Sequence, residues 1–188
     1  MRHFLFGLAT LVATTVAASA QPALTAVPSE ASPSAYVRGG FEGGANDGYF
    51  TAGGMLEVGA RVAPNLWIHG TAAKGGAAEL FGKGSGSYLQ AHAGVDVLRC
   101  NGRGTACGYA GADLGLQHVQ WTGVEGALFE DPADETTVSY DRTKMIGVGR
   151  IGVDIGGKHV RWRPGVEVSV SNTGLNGINL IQSIACRF

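Results

Sequence analysis

Three cysteines, five histidines and one acid-rich stretch hold most of the reactive or metal-ligating chemistry open to this chain. Cys100 and Cys107 bracket the turn Asn101-Gly102-Arg103-Gly104-Thr105-Ala106. Opposed hairpin positions suit a disulfide, worth roughly 2–3 kcal/mol for so short a loop in the chain-entropy description. Two thiolates alone make a poor metal site, and Cys186 is left as a free, small hydrophobe. His69, His92, His118 and His159 fall on different segments and form no ligand pair at helical spacing; His92, close to Asp96, reads as a satisfied interior group. Between Thr122 and Tyr140 stand Glu125, Glu130, Asp131, Asp134 and Glu135 with no Lys or Arg. Carboxylates are hard ligands for Ca²⁺ or Mg²⁺, but the spacing matches no 12-residue calcium loop. A solvated surface loop is the expectation, with a divalent-bridged surface contact as second reading. Gly147-Val148-Gly149-Arg150-Ile151-Gly152 matches the dinucleotide fingerprint literally. That motif requires a helix to begin there, whereas here an alternating strand pattern continues. No metal and no cofactor are expected.

The elements that carry these residues must tolerate glycine. The chain has 31 Gly in 188 residues, about twice the ordinary usage of about 7%. Glycine costs about 1 kcal/mol per helix-interior position, so long helices are excluded. Collagen would need Gly at every third residue, and disorder would need fewer apolar residues than the 45% present. A net charge of -1 and a pI near 6.5 leave no electrostatic footprint for nucleic acid. Residues 1–20 read as a cleavable secretory signal: Arg2 and His3, an uncharged run from Phe4 to Val16, then Ala18-Ser19-Ala20. Residues 21–34 are Pro/Ser/Ala-rich without periodicity and read as a loose exported tail before one domain at 35–188.

Within that domain the apolar residues recur with period two. Val160, Trp162, Pro164, Val166, Val168 and Val170 oppose Arg161, Arg163, Gly165, Glu167, Ser169 and Ser171. Leu89, Ala91, Ala93, Val95 and Val97 oppose Gln90, His92 and Asp96 in the same way. Eight such segments are expected, at about 35–44, 50–63, 65–75, 86–100, 107–121, 141–156, 158–171 and 177–188. They are long for soluble strands, which usually run about 5–6 residues. Short turns at Pro64-Asn65, between the cysteines and at Gly156-Gly157-Lys158 alternate with looser links near 45–49, 76–85, 122–140 and 172–176. The expected fold is all-β: a closed antiparallel eight-stranded transmembrane β-barrel, an up-and-down meander.

Orientation follows from the solvent. In water such a barrel buries its apolar face; in a bilayer the apolar face meets lipid and charges enter the lumen. Small outward residues and terminal aromatics favour lipid: Tyr88, Trp121 and Tyr140 are expected in an interfacial belt at the loop side, Trp162 and Phe188 at the turn side. Signal, alternating segments and terminal aromatic together resemble the small outer-membrane β-barrels of Gram-negative bacteria, the OmpA/OmpX-like superfamily, over nearly all of 35–188. The resemblance implies an outer-membrane location among lipopolysaccharide, a monomer, and Phe188 as part of the signal read by the barrel-assembly machinery. The lumen set is then Arg38, Glu42, Glu57, Arg61, His92, Asp96, Asp113, Arg150, Asp154, Arg161, Arg163, Glu167 and Arg187. With both signs mixed in so narrow an interior it reads as a plug, which sets a structural, envelope-integrity or surface-interaction role above a small-solute channel. Ser169, Ser171 and Asn172 are similar to the H-x-S-N site of outer-membrane lipid A deacylases. Ser169 stands where that family has its catalytic His, and without a base the serine is not activated, so no enzyme is expected.

Overall fold

The computed structural model describes residues 34–46, 49–79, 84–125 and 136–188. The expected signal, residues 21–33 of the expected tail, and Glu130, Asp131, Asp134 and Glu135 lie outside them. Alternating β-branched and small residues give strands β1 (Ala35–Asn46), β2 (Tyr49–Ala63), β3 (Leu66–Glu79), β4 (Ser85–Cys100), β5 (Ala106–Glu125), β6 (Thr136–Gly156), β7 (Val160–Trp162), β8 (Gly165–Ser171) and β9 (Gly174–Arg187). Neighbours pair antiparallel, and β9 returns to β1 from Tyr36↔Arg187 to Asn46↔Gly177, closing the sheet. Closure leaves no lateral edge along the shared length. β7 and β8 both lie between β6 and β9 and form one stave, so the barrel has eight.

The segment expected unbroken over 158–171 divides because Pro164 has no N–H to give the ladder. Its carbonyl still accepts from Val153 N–H at 3.1 Å, and Arg163 N–H donates to Ser183 O at 2.8 Å, so the stave keeps its place. Ser34 belongs to the barrel rather than to a tail: its N–H donates to Phe188 O at 2.9 Å and its carbonyl accepts from Arg61 N–H at 2.8 Å.

Both chain ends of the barrel, Ala35 and Phe188, lie at one end, here the terminal end; the opposite end is distal. Expected looser links are shorter than the spacing suggested. β1 and β2 pair out to Asn46↔Tyr49, and β8 and β9 out to Ser171↔Gly174, so the expected link 172–176 shrinks to the turn at 172–173. β5 and β6 pair out to Glu125↔Thr136, which turns much of the expected link 122–140 into strand. Cross-strand pairing extends because β-branched Thr122, Val124, Thr136, Thr137 and Val138 favour strand there.

Glycine is required where the wall must be thin. At Gly59 an added Cβ would stand 2.4 Å from the Tyr36 ring, which lies against the bare backbone. Gly104, at φ +68, makes the β4–β5 turn and donates its N–H to Asn101 O at 2.9 Å.

Burial is inverted relative to a water-soluble domain. Arg38, Glu57, Asp96 and Asp154 are 0% exposed, while Phe41 is 76%, Leu114 70% and Met145 68% exposed. Exposed Val, Leu, Ile, Phe or Met side chains also stand on β2, β3, β4 and β9, an apolar band far beyond scattered surface hydrophobes. Trp162 and Phe188 face outward at the terminal end as expected. Tyr88 and Trp121 do not: Leu89 and Gln120 take the outward parity, so these rings turn inward and are buried, and Tyr140 shares their side. The distal belt is a correction.

Candidate functional site

The pleat delivers every second side chain to the lumen, and register decides which of them meet. At the terminal end Asp154 is ion-paired with both Arg161 and Arg187. Arg161 Nη1 also donates to Gly104 O at 2.8 Å and Gly157 O at 3.1 Å, tying two turns together. Arg187 lies over the Trp67 ring at 5.3 Å. Cys100 and Cys107, directly opposed in the ladder, are joined as a disulfide at this level, and Arg161 Nη2 is 3.5 Å from Cys107 Sγ.

Deeper, Glu57 and Asp96 gather three guanidinium groups. Arg150 donates to Asp96 through Nε at 2.7 Å and Nη2 at 2.6 Å, and through Nη1 to Glu57 at 2.6 Å. Arg163 pairs with Asp96 and reaches Glu57 at 3.5 Å, with its guanidinium 4.0 Å over the Tyr109 ring. Arg38, opposite Glu57 in the register, pairs with it; Tyr36 Oη and Thr71 Oγ1 complete the acceptor's shell. Bidentate, charge-assisted bonds of this kind are what allow full desolvation of ions.

Toward the distal end Asp113 receives His69 Nε2 at 2.9 Å and His92 Nδ1 at 2.6 Å. Arg150 Nη2 sits 2.9 Å from His69 Nδ1. An arginine only donates, so Nδ1 accepts and Nε2 carries the proton to Asp113. Glu42 accepts from Tyr88 Oη at 2.9 Å and Gln90 Nε2 at 3.1 Å, and Glu167 lies 3.9 Å from Arg150.

Beyond this lattice amides replace charges. Asn46 Nδ2 donates to Thr51 Oγ1 at 2.6 Å and Asn179 Oδ1 at 2.8 Å; Asn176 Nδ2 donates to Gln117 Oε1 and Ser169 Oγ, each at 3.1 Å. Above them is a cavity of about 720 Å³ walled by Asn46, Tyr49, Gln117, Tyr140, Arg142 and Lys144, with Tyr88 and Thr51 also on its surface.

Of the expected lumen set, Arg38, Glu42, Glu57, His92, Asp96, Asp113, Arg150, Asp154, Arg161, Arg163 and Glu167 are buried inside. Arg187 is half-buried at the terminal end, in contact with Asp154. Arg61 is half-buried at the terminal-end rim, beside the bulge between Arg61 and Ala63, rather than among the buried ions. His92 bonds Asp113, not Asp96. His69 was missed as a lattice member, as were Tyr36 and Tyr109; strict parity from outward Val37, Ile68 and Ala110 would have found them. Buried Met55, Ile146, Val148 and Ile181 interrupt the polar interior, which alternation by polarity alone conceals. His118 is outward on Thr143 at 2.9 Å, and His159 Nδ1 lies 3.1 Å from Arg187 O. The 147–152 glycine motif is mid-strand in β6. Ser169 and Ser171 both face the lumen; their partners are Gly177 O, Asn176 and Thr173, with no imidazole among the described residues. Cys186 is exposed on the outer face.

The architecture and this inverted interior define a class of closed eight-stranded barrel, and solved structures share it. The attachment invasion locus protein Ail of Yersinia pestis superposes with a TM-score of 0.56 at 15% identity, covering 84% of this chain and 100% of that one. Neisserial surface protein A (NspA) gives 0.60 at 13% identity, covering 85% and 100%. The N-terminal β-barrel domain of Pseudomonas aeruginosa OprF gives 0.53 at 11%, covering 84% and 100%. The likeness is one of fold, that of small outer-membrane β-barrels of the OmpA/OmpX-like type. No protein-family model and no curated protein matches the sequence.

Proposed function

We propose that this chain is a non-enzymatic integral outer-membrane barrel of a Gram-negative envelope, exported by its N-terminal signal, with a structural or surface-interaction role. The observation that carries the reading is the inverted burial: an apolar exterior band on a closed barrel with a buried ion lattice inside is stable only where that band meets hydrocarbon. NspA is a surface protein by its name and the structural neighbours are outer-membrane proteins, which supports the location. The ion lattice fills the terminal half of the lumen, so solute conduction is not the role. On this reading the signal delivers Ala35 to the periplasm and eight staves return Phe188 to the same side, so the terminal end, where Phe188 closes the seam with Ala35 and serves as the assembly signal, is periplasmic and the distal end faces outside, among lipopolysaccharide.

A surface role is favoured by the distal end of β5 and β6. β4 follows β5 only to Thr122 and β8 follows β6 only to Ile146, so a two-stranded polar extension stands beyond its neighbours. It carries the acidic stretch, which suits divalent-bridged contact with lipopolysaccharide or an external partner. The barrel is read as a monomer. The test is membrane fractionation with a gel comparison of heated and unheated samples: folded barrel in the outer-membrane fraction, migrating differently until boiled, supports the reading, and recovery as a soluble periplasmic protein overturns it.

A further inference from the structure

We infer that the terminal end carries a docking site for an anionic phospholipid, with the headgroup phosphate held at Arg99 and Arg103 and an acyl chain laid along β5. The inference rests on the lipid-facing reading of the exterior band and deepens it by naming the lipid class and the residues that select it. Its test scores insertion and lipid preference separately, so a failure of one is told from a failure of the other.

Charge at this end is one-sided. Arg99 and Arg103 are exposed there, while the side-chain carboxylates toward the same end, Asp96 and Asp154, are 0% exposed and engaged by Arg150, Arg163, Arg161 and Arg187. Among the described residues no side-chain carboxylate is therefore left to compete for the two exposed guanidinium groups. Arg99 takes the outward parity of β4, in line with Val95 and Val97. Its aliphatic stem continues the lipid-facing surface, and its guanidinium reaches past the edge of the band. Arg103 stands in the β4–β5 turn, which is pinned from both sides. Cys100 and Cys107 are bridged, Asn101 N–H donates to Ala106 O at 2.9 Å, Gly156 N–H donates to Thr105 O at 2.9 Å, and Arg161 Nη1 donates to Gly104 O at 2.8 Å. A fixed cationic turn gives up little freedom on binding. Lys158, in the adjoining turn, already has a partner and is not required. Beside Arg99 the wall is hollow. The outward positions of β5 are Gly108, Ala110 and Ala112 until Leu114 projects, 70% exposed. Val95 and Val97 flank this floor on β4, and Ile151 and Val153 flank it on β6. A Cβ added at Gly108 would meet nothing within 4 Å. From Gly108 to Leu114 the trough runs about 20 Å at about 3.3 Å per residue, enough for a chain crossing one leaflet of about 15 Å. Trp162 and Phe188, outward at the same end, mark the interface. Any acyl chain fits a floor of small residues; the two arginines at its mouth favour a headgroup of net negative charge over one whose own cation offsets its phosphate.

The experiment uses the exported chain from Gln21 onward, with vesicle insertion and the heated-gel shift confirming the barrel for every variant. Native mass spectrometry of the folded barrel in non-ionic detergent then follows adducts of phosphatidylglycerol and of phosphatidylcholine with the same acyl chains. Phosphatidylglycerol should bind at least about fivefold more tightly, the scale of one or two charge contacts at a membrane surface. R99Q/R103Q should abolish that preference and leave phosphatidylcholine binding in place. A110F, which fills the trough, should remove the tight phosphatidylglycerol adduct with both arginines present. K74Q, which removes an exposed outward cation from β3, should change nothing. Excess glycerol phosphate should not displace the lipid; displacement makes the ligand a soluble anion. Equal binding of the two lipids, a folded R99Q/R103Q with its preference intact, an unaffected A110F, loss of the preference in K74Q, or displacement by glycerol phosphate would overturn the inference alone. A chain that does not enter vesicles would overturn the lipid-facing reading and this inference with it.

Discussion

Replacing Asp96 by asparagine tests whether the lumen lattice holds this barrel together. Asp96 is 0% exposed and accepts from Arg150 at 2.7 and 2.6 Å and from Arg163. The amide keeps the shape and removes the charge. Hydrogen bonds to charged groups are worth about 1.5–3 kcal/mol each, so three would sum to more than about 4.5 kcal/mol. Part is retained, because Arg150 keeps Glu57 and His69, and Arg163 keeps Glu57 and the Tyr109 ring. The remainder, about 3–5 kcal/mol, matches the usual cost of stranding a buried charge. Unfolding by urea in lipid vesicles, followed by Trp fluorescence and gel shift, measures it. Arg61→Gln at the half-buried rim should cost about 1 kcal/mol or less by contrast. Adding Arg163→Met to the Asp96 variant should recover stability, since the stranded cation is then gone. A cost under about 1 kcal/mol for Asp96→Asn, or no recovery in the double variant, would show that the barrel is held by its ladder alone and that the lattice is incidental.

Further outcomes follow from the same geometry. Ile151→Arg, at an outward position 64% exposed, should cost about 2–4 kcal/mol or block assembly, as charge facing lipid does at the bilayer midplane, whereas Gln117→Arg, on the cavity wall, should assemble; equal tolerance of the two in a vesicle-insertion assay would reverse the orientation. Intact protein should alkylate only at Cys186 after unfolding, and Cys107→Ser should lower stability by roughly 2–3 kcal/mol; mass spectrometry finding Cys186 in a disulfide would break the register of β9. Deleting residues 126–135 with a two-residue turn in their place should leave the gel shift intact, because Glu125 and Thr136 are already paired, while removing any divalent-dependent surface contact; loss of the folded band would make that connection part of the packed structure.

Alternation along the chain determined the staves, because in a strand the side-chain period is fixed at two and any consistent polarity pattern names both faces. That is why Arg38, Glu57, Asp96, Arg150 and Arg163 could be placed inside from sequence, and why Trp162 and Phe188 could be placed outside. Strand ends were not legible: polar Thr136–Tyr140 and Thr122–Glu125 pair as well as apolar residues once β5 and β6 are adjacent, and only the ladder records that. Nor could sequence say which carboxylate each cation meets. Arg150 and Asp96 are 54 positions apart, and the closure of β9 on β1 with its particular stagger decides that Arg150, His69 and Asp96 occupy one level while His92 meets Asp113. Parity turned Tyr88 and Trp121 inward from an expected belt, and the stagger, by setting Arg142, Lys144, Tyr49 and Asn46 around one opening, made a cavity of residues drawn from β1, β2 and β6. Period two is local and survives in the sequence; the register of a closed sheet is a property of the whole ring and exists only in the fold.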